Sequence, residues 1–473
     1  MSIINKEYGK VDFPILKAKF ASILKNGGKM EKNKNLFEKV EVKKAVMEMA
    51  IPTIISSLIV VIYNMADTFF VGQTQNPLQV AAVSLTNPIF VMYMAISQLI
   101  GIGGSTLISI FLGKRKRKYA KQCSSFSCYS SLGLGVIFGA IIIIFMDNIL
   151  KLLGATLDTY IFTREYLFYI ALGGPVILFS NAFGHTVRGE GGAKASMIGG
   201  MIGTIVNIVL DPIFILTLGM GTAGAAIATV IGNIAGTLYY IYYFNYRSPL
   251  LTISPRYFTF SQEVAGSLLK LGIPAGINSG LMSISTIFLN NILLIYGNSA
   301  VAAMGIVTKI YLLIALIHMG IANGIQPLLG YCYGAKLKKR FMDIMKFSLK
   351  FSISIGLILT VIYIVFSKEI IELFIQDREV IEYGAKMLVA TSLAGPILGV
   401  MFLSINGMQA INNPLPATVL SLARQGLLFI PLLFVMNSFL GLTGVNFTQT
   451  VADYISIVIG VFLFINSLKK VKE

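Results

Sequence analysis

The chain has no tryptophan, two histidines and three cysteines in 473 residues, and charged residues make up only 12% of it. His185 and His318 are too few for a histidine-based metal cluster. Cys123, Cys128 and Cys332 show neither a paired framework nor metal-ligand spacing, so disulfide-stapled and metal-centred folds are both excluded. Paired acids of a catalytic type and a nucleophile elbow are also missing, which speaks against a membrane-embedded enzyme. The short alternating segments of a β-barrel do not occur. A cleavable leader is not visible either, because the first 44 residues are too basic and too interrupted; the first span serves as its own membrane signal. The segment MEKNKNLFEKVEVKK from Met30 reads as a short cytoplasmic start in its own right, which leaves residues 1–29 open as native translation.

What is present is apolar. Hydrophobic residues make up 55% of the chain, and the mean hydropathy is +0.78. Crossing about 30 Å of hydrocarbon takes about 20 helical residues. Twelve runs of that order recur, near 46–71, 80–111, 123–146, 165–187, 195–217, 223–245, 264–295, 301–333, 342–366, 383–408, 414–437 and 446–468. The fold class is an all-α integral membrane protein with twelve transmembrane helices.

The net charge of +17 follows topology. With the N-terminal side called "in", the in-facing segments hold 28 Lys and Arg, against four (Lys151, Arg164, Lys368, Arg378) outside. That asymmetry predicts a multi-pass plasma-membrane protein with both termini in the cytoplasm. It makes anionic lipid, not nucleic acid, the partner of the basic loops.

Comparing each residue with the one 221 positions later exposes an internal repeat. VAAV at 80–83 meets VAAM at 301–304, and nine of 34 positions agree as far as Gly113 and Gly334. Gly174 and Pro175 meet Gly395 and Pro396 in the same register; only the first span slips by one, Pro52 against Pro274. Two parallel six-helix bundles related by a pseudo-two-fold axis along the membrane normal follow, with a cavity expected between them. The divisions are a basic N-terminal segment 1–44, an N-lobe 45–246, a linker 247–262, a C-lobe 263–468 and a tail 469–473. The matched prolines at 52 and 274 and at 175 and 396 are expected to be mechanical bends, since each lacks the N–H that its helix needs.

An acid inside a span costs about 2.5–3.5 kcal/mol on insertion scales and is a functional candidate by default. Asp67 in YNMADTFF and Asp211 in NIVLDP are the clear cases. Asn207 is one helical turn before Asp211, on the same face, and Thr229 lies on the next span at similar depth. The repeat equivalents of Asn207, Asp211 and Thr229 are Leu428, Leu432 and Thr450, so the fold is doubled and the ionisable site is not. Desolvation penalises the anionic form, which suits Asp67 and Asp211 to taking up and releasing a proton. Lys309, Arg424 and Asp453 read as structural pairing or snorkelling. Arg188, Glu190 and Lys194 read as solvated loop residues.

These motifs resemble the multidrug and toxic compound extrusion (MATE) transporters, especially their DinF-like branch, over residues 40 to 470. The resemblance is carried by IP at 51–52, YNMADTFFVG, GGP at 173–175, NIVLDPIFI and GTAGAAIAT. It implies that Pro52 is the site of a conformational bend. It implies too that Asp67, Asn207, Asp211 and Thr229 form the cation-coupling network, with Tyr63, Tyr166 and Asn181 as its substrate or network neighbours. The acids that NorM-like members carry in spans seven and ten are replaced here by Asn278, Asn290, Asn291, Asn406 and Gln409. The implied function is a multidrug antiporter, a monomer that exports small amphipathic, cationic compounds by alternating access. Its coupling ion is H⁺ in preference to Na⁺, with Asp67 and Asp211 as the only place for Na⁺ and no other metal or cofactor. The rival is a flippase or exporter of a lipid-linked or metabolite substrate on a related fold. Two extra spans or a broad basic cavity would favour it, and neither is evident in the sequence.

Overall fold

The computed structural model describes residues 34–248 and 250–470. Expectations about the segment before residue 34, Met30 included, and about residues 471–473 lie outside the described residues. Among the described residues the secondary structure is helical, with no strand.

Among the described residues ten helices are long and apolar enough to cross a membrane; one of 56 residues holds two spans, and a bent pair supplies one more, giving twelve. In chain order the N-lobe helices are α1 (Val42–Gly72), α2 (Pro77–Gly113), α3 (Arg117–Ile144), α4 (Tyr160–Arg188), α5 (Ala193–Thr217) and α6 (Gly221–Arg247). The C-lobe helices are α7 (Gln262–Tyr296), α8 (Asn298–Gly334), α9 (Lys338–Val365) and α10, formed by Arg378–Ser392 and Gly395–Ala410. The helix Pro414–Lys469 breaks at Gly441, whose φ of 58° and ψ of −141° only glycine adopts easily, into α11 (414–440) and α12 (442–469). Local chemistry sets several boundaries. Asn76 caps α2 through the N–H of Leu78 at 3.0 Å, ahead of a proline at the first helical position, and Asp377 caps α10 through Val380 at 3.0 Å.

The lobes close on each other at the end that carries the basic loops. There α2 is buried at every residue from 100 to 113, while α1 and α7 become exposed toward the opposite end. Missing side chains permit this approach. A Cβ on Gly103 would lie 2.2 Å from the Leu268 carbonyl oxygen, and one on Gly272 would lie 1.7 Å from that of Leu99. Gly113 and Gly334, repeat counterparts of one another, meet directly, so the pseudo-two-fold axis passes between them.

The matched prolines do not behave alike. α4 runs unbroken through Pro175, whereas α10 bends by 47° just before Pro396. The neighbouring helix explains the difference. Gly139 on α3 brings its backbone against the Ala171 carbonyl that Pro175 deprives of a partner. Its repeat counterpart on α9 is Thr360, whose hydroxyl donates to the equivalent freed carbonyl, Ser392, at 2.9 Å. His318 adds hydrogen bonds to Gly395 O at 3.0 Å and to Ser352 at 2.6 Å. α1 likewise runs through Pro52 without a break, and Ser56 donates to the Pro52 carbonyl at 2.9 Å.

The segments at the basic end are fastened. Arg340 donates to the carbonyls of Phe37, Leu36 and Val40 at 2.5, 3.1 and 2.6 Å, and Tyr331 donates to Glu38 at 2.7 Å. Hydroxyls of Ser124, Ser125 and Tyr129 on α3 donate to the linker carbonyls of Thr252, Ser254 and Ile253 at 2.7, 2.9 and 2.9 Å.

Candidate functional site

Helical periodicity alone brings Asn207 beside Asp211: the Asn207 amide donates to Asp211 Oδ1 at 3.1 Å. The regular α-helical part of α5 ends there, because Pro212 cannot donate to the turn before it, and α5 continues to Thr217 as a π-helical turn, a feature common at functional sites. Tertiary packing supplies the rest. Tyr63 of α1 and Thr229 of α6 share a hydroxyl–hydroxyl bond of 2.9 Å. One turn beyond Tyr63, Asp67 meets the phenol of Tyr166 from α4 and comes close enough to Asp211 for the two carboxyls to interact. Asp67, Asn207, Asp211 and Thr229 are all at most 6% exposed.

Three acceptor oxygens in this cluster, Asp67 Oδ1, Asn207 Oδ1 and Asp211 Oδ2, are buried with no hydrogen-bond partner. Buried acceptors are costly until a donor or cation meets them. A carboxyl proton or a small hard cation suits three oxygens; a transition metal, which favours nitrogen or sulfur, does not. Among the described residues no group of three or more His, Cys, Asp or Glu is placed to hold a metal ion.

A central cavity of about 250 Å³ adjoins the cluster. Tyr63, Asn207 and Thr229 belong to both, lining the cavity on one side and meeting the acids on the other, while Asp67 and Asp211 lie behind them. Asn181 lies apart from the acids. Its amide donates to Ile177 of its own helix at 2.9 Å, and it lines the cavity.

Two residues expected to be solvated are not. Arg188, at the end of α4, is 6% exposed where it packs against Ser196 of α5, and Glu190 is fully buried because the loop between α4 and α5 is covered by the linker. Lys194 is exposed as expected. Ser248 donates to Glu190 Oε2 at 2.9 Å. Burial pushes the Glu190 carboxyl up from 4.5 to about 7, and bonds from Tyr243, Ser248 and the N–H groups of Leu251 and Leu250 restrain the rise. The fold therefore favours the protonated form. This group's contribution to stability is whole below pH 4.5 and is lost as the pH rises through 7. That loss amounts to about 3 kcal/mol. Glu190→Gln should remove the loss, so its melting temperature minus that of wild type should increase between pH 5 and pH 8. A difference that stays flat across that range would mean that Glu190 does not titrate in the folded loop.

The second lobe replaces rather than repeats this chemistry. Arg424 of α11 donates to Asp453 of α12 at 2.7 Å, and Tyr311 and Gln449 donate to the same carboxylate at 2.9 and 3.0 Å. Shifting by 221 places Arg424 and Asp453 on Gly203 and Gly232, which pack backbone to backbone in the N-lobe. The offset applied to charged residues would have revealed this pair in the sequence.

Known proteins agree with this architecture. The MatE family profile matches residues 52–213 and again 274–435. The chain is 34% identical over 420 residues to the multidrug export protein MepA of Staphylococcus aureus (strain MSSA476), covering 88% of this chain and 92% of that one. It is also 34% identical over 430 residues to MepA of Staphylococcus haemolyticus (strain JCSC1435), covering 90% and 94%. A solved structure of a multidrug resistance MATE family transporter of the MOP superfamily, in an outward-facing conformation, superposes with a TM-score of 0.86 at 25% identity, covering 93% of this chain and 97% of that chain. With a family profile matched once in each half and relatives aligned over nearly the whole chain, the protein belongs to the MATE family of membrane transporters and is not an enzyme.

Proposed function

We propose that this protein is a multidrug antiporter of the plasma membrane, exporting small amphipathic, cationic compounds by alternating access. Its relatives are multidrug export proteins by name. The observation that carries the reading is the single N-lobe cluster with three unpartnered acceptor oxygens next to the cavity wall. H⁺ is the coupling ion, since a proton on Asp67 or Asp211 relieves both the repulsion between the carboxyls and the unmet acceptors; Na⁺ at the same oxygens is the alternative. Leucines at 428 and 432, the C-lobe counterparts of Asn207 and Asp211, support the DinF-like reading, as does the pairing of the nearby Asp453 with Arg424. The basic end is taken as cytoplasmic with both termini there, the lobes as 45–246 and 263–468, the linker as 247–262 and the transporter as a monomer among anionic lipids. Closure at that end makes this the outward-facing state. Protons entering from outside reach Asp67 and Asp211, Tyr63, Asn207 and Thr229 shift with them, and the ligand leaves outward; Pro52 lets α1 deform during the return.

Ethidium efflux from energised vesicles tests the reading when the pH and Na⁺ gradients are collapsed one at a time. Collapse of the pH gradient should stop efflux and collapse of the Na⁺ gradient should not. The reverse pattern would assign the cluster to Na⁺, and efflux indifferent to both would remove coupling from it.

A further inference from the structure

The floor of the central cavity holds a charge that the export reading leaves unused. Arg188, the last residue of α4, lines the cavity and is 6% exposed. A guanidinium stays protonated at any physiological pH, and a buried charge without a counter-charge is costly. Its partners are neutral. Nη1 donates to Ser196 Oγ at 3.0 Å, and Nη2 donates to His185 Nδ1, which fixes that ring as an acceptor there. None of the ion pairs among the described residues includes Arg188. Glu190, two residues on, is turned toward Ser248 and Tyr243. Among the described residues lining the cavity there is no Asp, Glu or Lys, so Arg188 is the only formal charge in the wall. The two acids are screened behind Tyr63, Asn207 and Thr229.

From this we infer that the cavity floor is a carboxylate subsite: Arg188, held by His185 and Ser196, anchors the acid group of an amphoteric organic molecule. The inference rests on the export reading and narrows it, making an anionic group on the cationic, amphipathic ligand a source of added affinity. Two of the five guanidinium donors meet His185 and Ser196, and the planar fork is the geometry that recognises a carboxylate by two parallel bonds. Tyr63, Phe90, Met94 and Met319 line the same cavity and offer apolar and aromatic surface to the remainder of the ligand. With the basic end closed, the anion would sit against Arg188 and supply the missing counter-charge. When the basic end opens, Arg188 would be the charged group that a ligand meets within the cavity wall.

Rhodamine 110 and rhodamine 123 provide the test, since they share one cationic ring system and differ in a free carboxylate against its methyl ester. Binding to the purified full chain at pH 7.5, read by fluorescence anisotropy, should favour the acid in wild type. Arg188→Met should lower the acid-to-ester affinity ratio by about tenfold or more, the worth of a charge-assisted bond, and Arg188→Lys by less. Wild type binding the ester more tightly than the acid would overturn the subsite without any variant having to fold, and so would a ratio in Arg188→Met within twofold of wild type. Ethidium, which carries no acid, separates the two ideas. Its efflux with an unmoved ratio leaves export standing and removes only the carboxylate anchor; no efflux from wild type removes the export reading itself.

Discussion

Asp211→Asn should leave the protein folded and melting at or above the wild-type temperature while gradient-driven efflux falls by about a hundredfold or more. The amide is nearly isosteric with the acid, and the bond with Asn207 survives if one of the two amides turns over. What disappears is the exchangeable charge. A carboxylate inside the membrane costs about 2.5–3.5 kcal/mol on insertion scales, and intramembrane side-chain bonds return only about 0.6–2 kcal/mol each. The acid therefore weakens the fold slightly in exchange for a switch, and the amide lacks both the penalty and the switch. The paired readouts are the melting temperature and the pH dependence of drug affinity between about pH 5.5 and 8.5. A variant that melted far lower yet kept the wild-type pH dependence would make Asp211 a packing residue. Asp67→Asn should lose coupling in the same way, since its carboxyl belongs to the same pair.

Gly272→Ala should stop transport by a different route, holding the basic end open. The added methyl would lie 1.7 Å from the Leu99 carbonyl oxygen, a backbone atom that no rotamer change moves aside. Overpacking of a tight contact costs about 1–3 kcal/mol. Here the contact exists only when the lobes are closed, so that energy acts on the equilibrium between states and shifts it about tenfold to a hundredfold toward opening at that end. Asn323, on the cavity wall, can report this once replaced by cysteine, because Cys123, Cys128 and Cys332 are buried. A membrane-impermeant maleimide applied to inside-out vesicles should label Asn323→Cys faster in the Gly272→Ala background. Unchanged labelling together with normal efflux would mean that α2 and α7 slide apart locally and that closure does not depend on this glycine.

The twelve spans, the doubling and the pairing of Asn207 with Asp211 are fixed by features that a linear chain displays directly. Hydrocarbon demands runs of a set length, repeat symmetry leaves a constant offset, and helical periodicity puts residues four apart on one face. The confinement of the Asp67 and Asp211 cluster to one half was equally legible, because subtraction of the halves needs no coordinates. Whether a proline bends its helix was not. Pro175 and Pro396 occupy the same position in each half, and the outcome turned on Gly139 against Thr360, residues of another helix that decide who receives the freed carbonyl. Arg188 and Glu190 look in sequence like any charged loop. Arg188 is buried against Ser196 of the next helix, and Glu190 because a linker some sixty residues downstream folds across it, with Ser248 reaching its carboxyl. Which side chains face the cavity was likewise decided by packing. Tyr63, Asn207 and Thr229 come to lie between the acids and the ligand space only because α1, α5 and α6 converge. Sequence pattern records what each segment requires of its solvent; tertiary contact decides which other segment meets that requirement, and neighbours distant along the chain leave no period or spacing from which to read it.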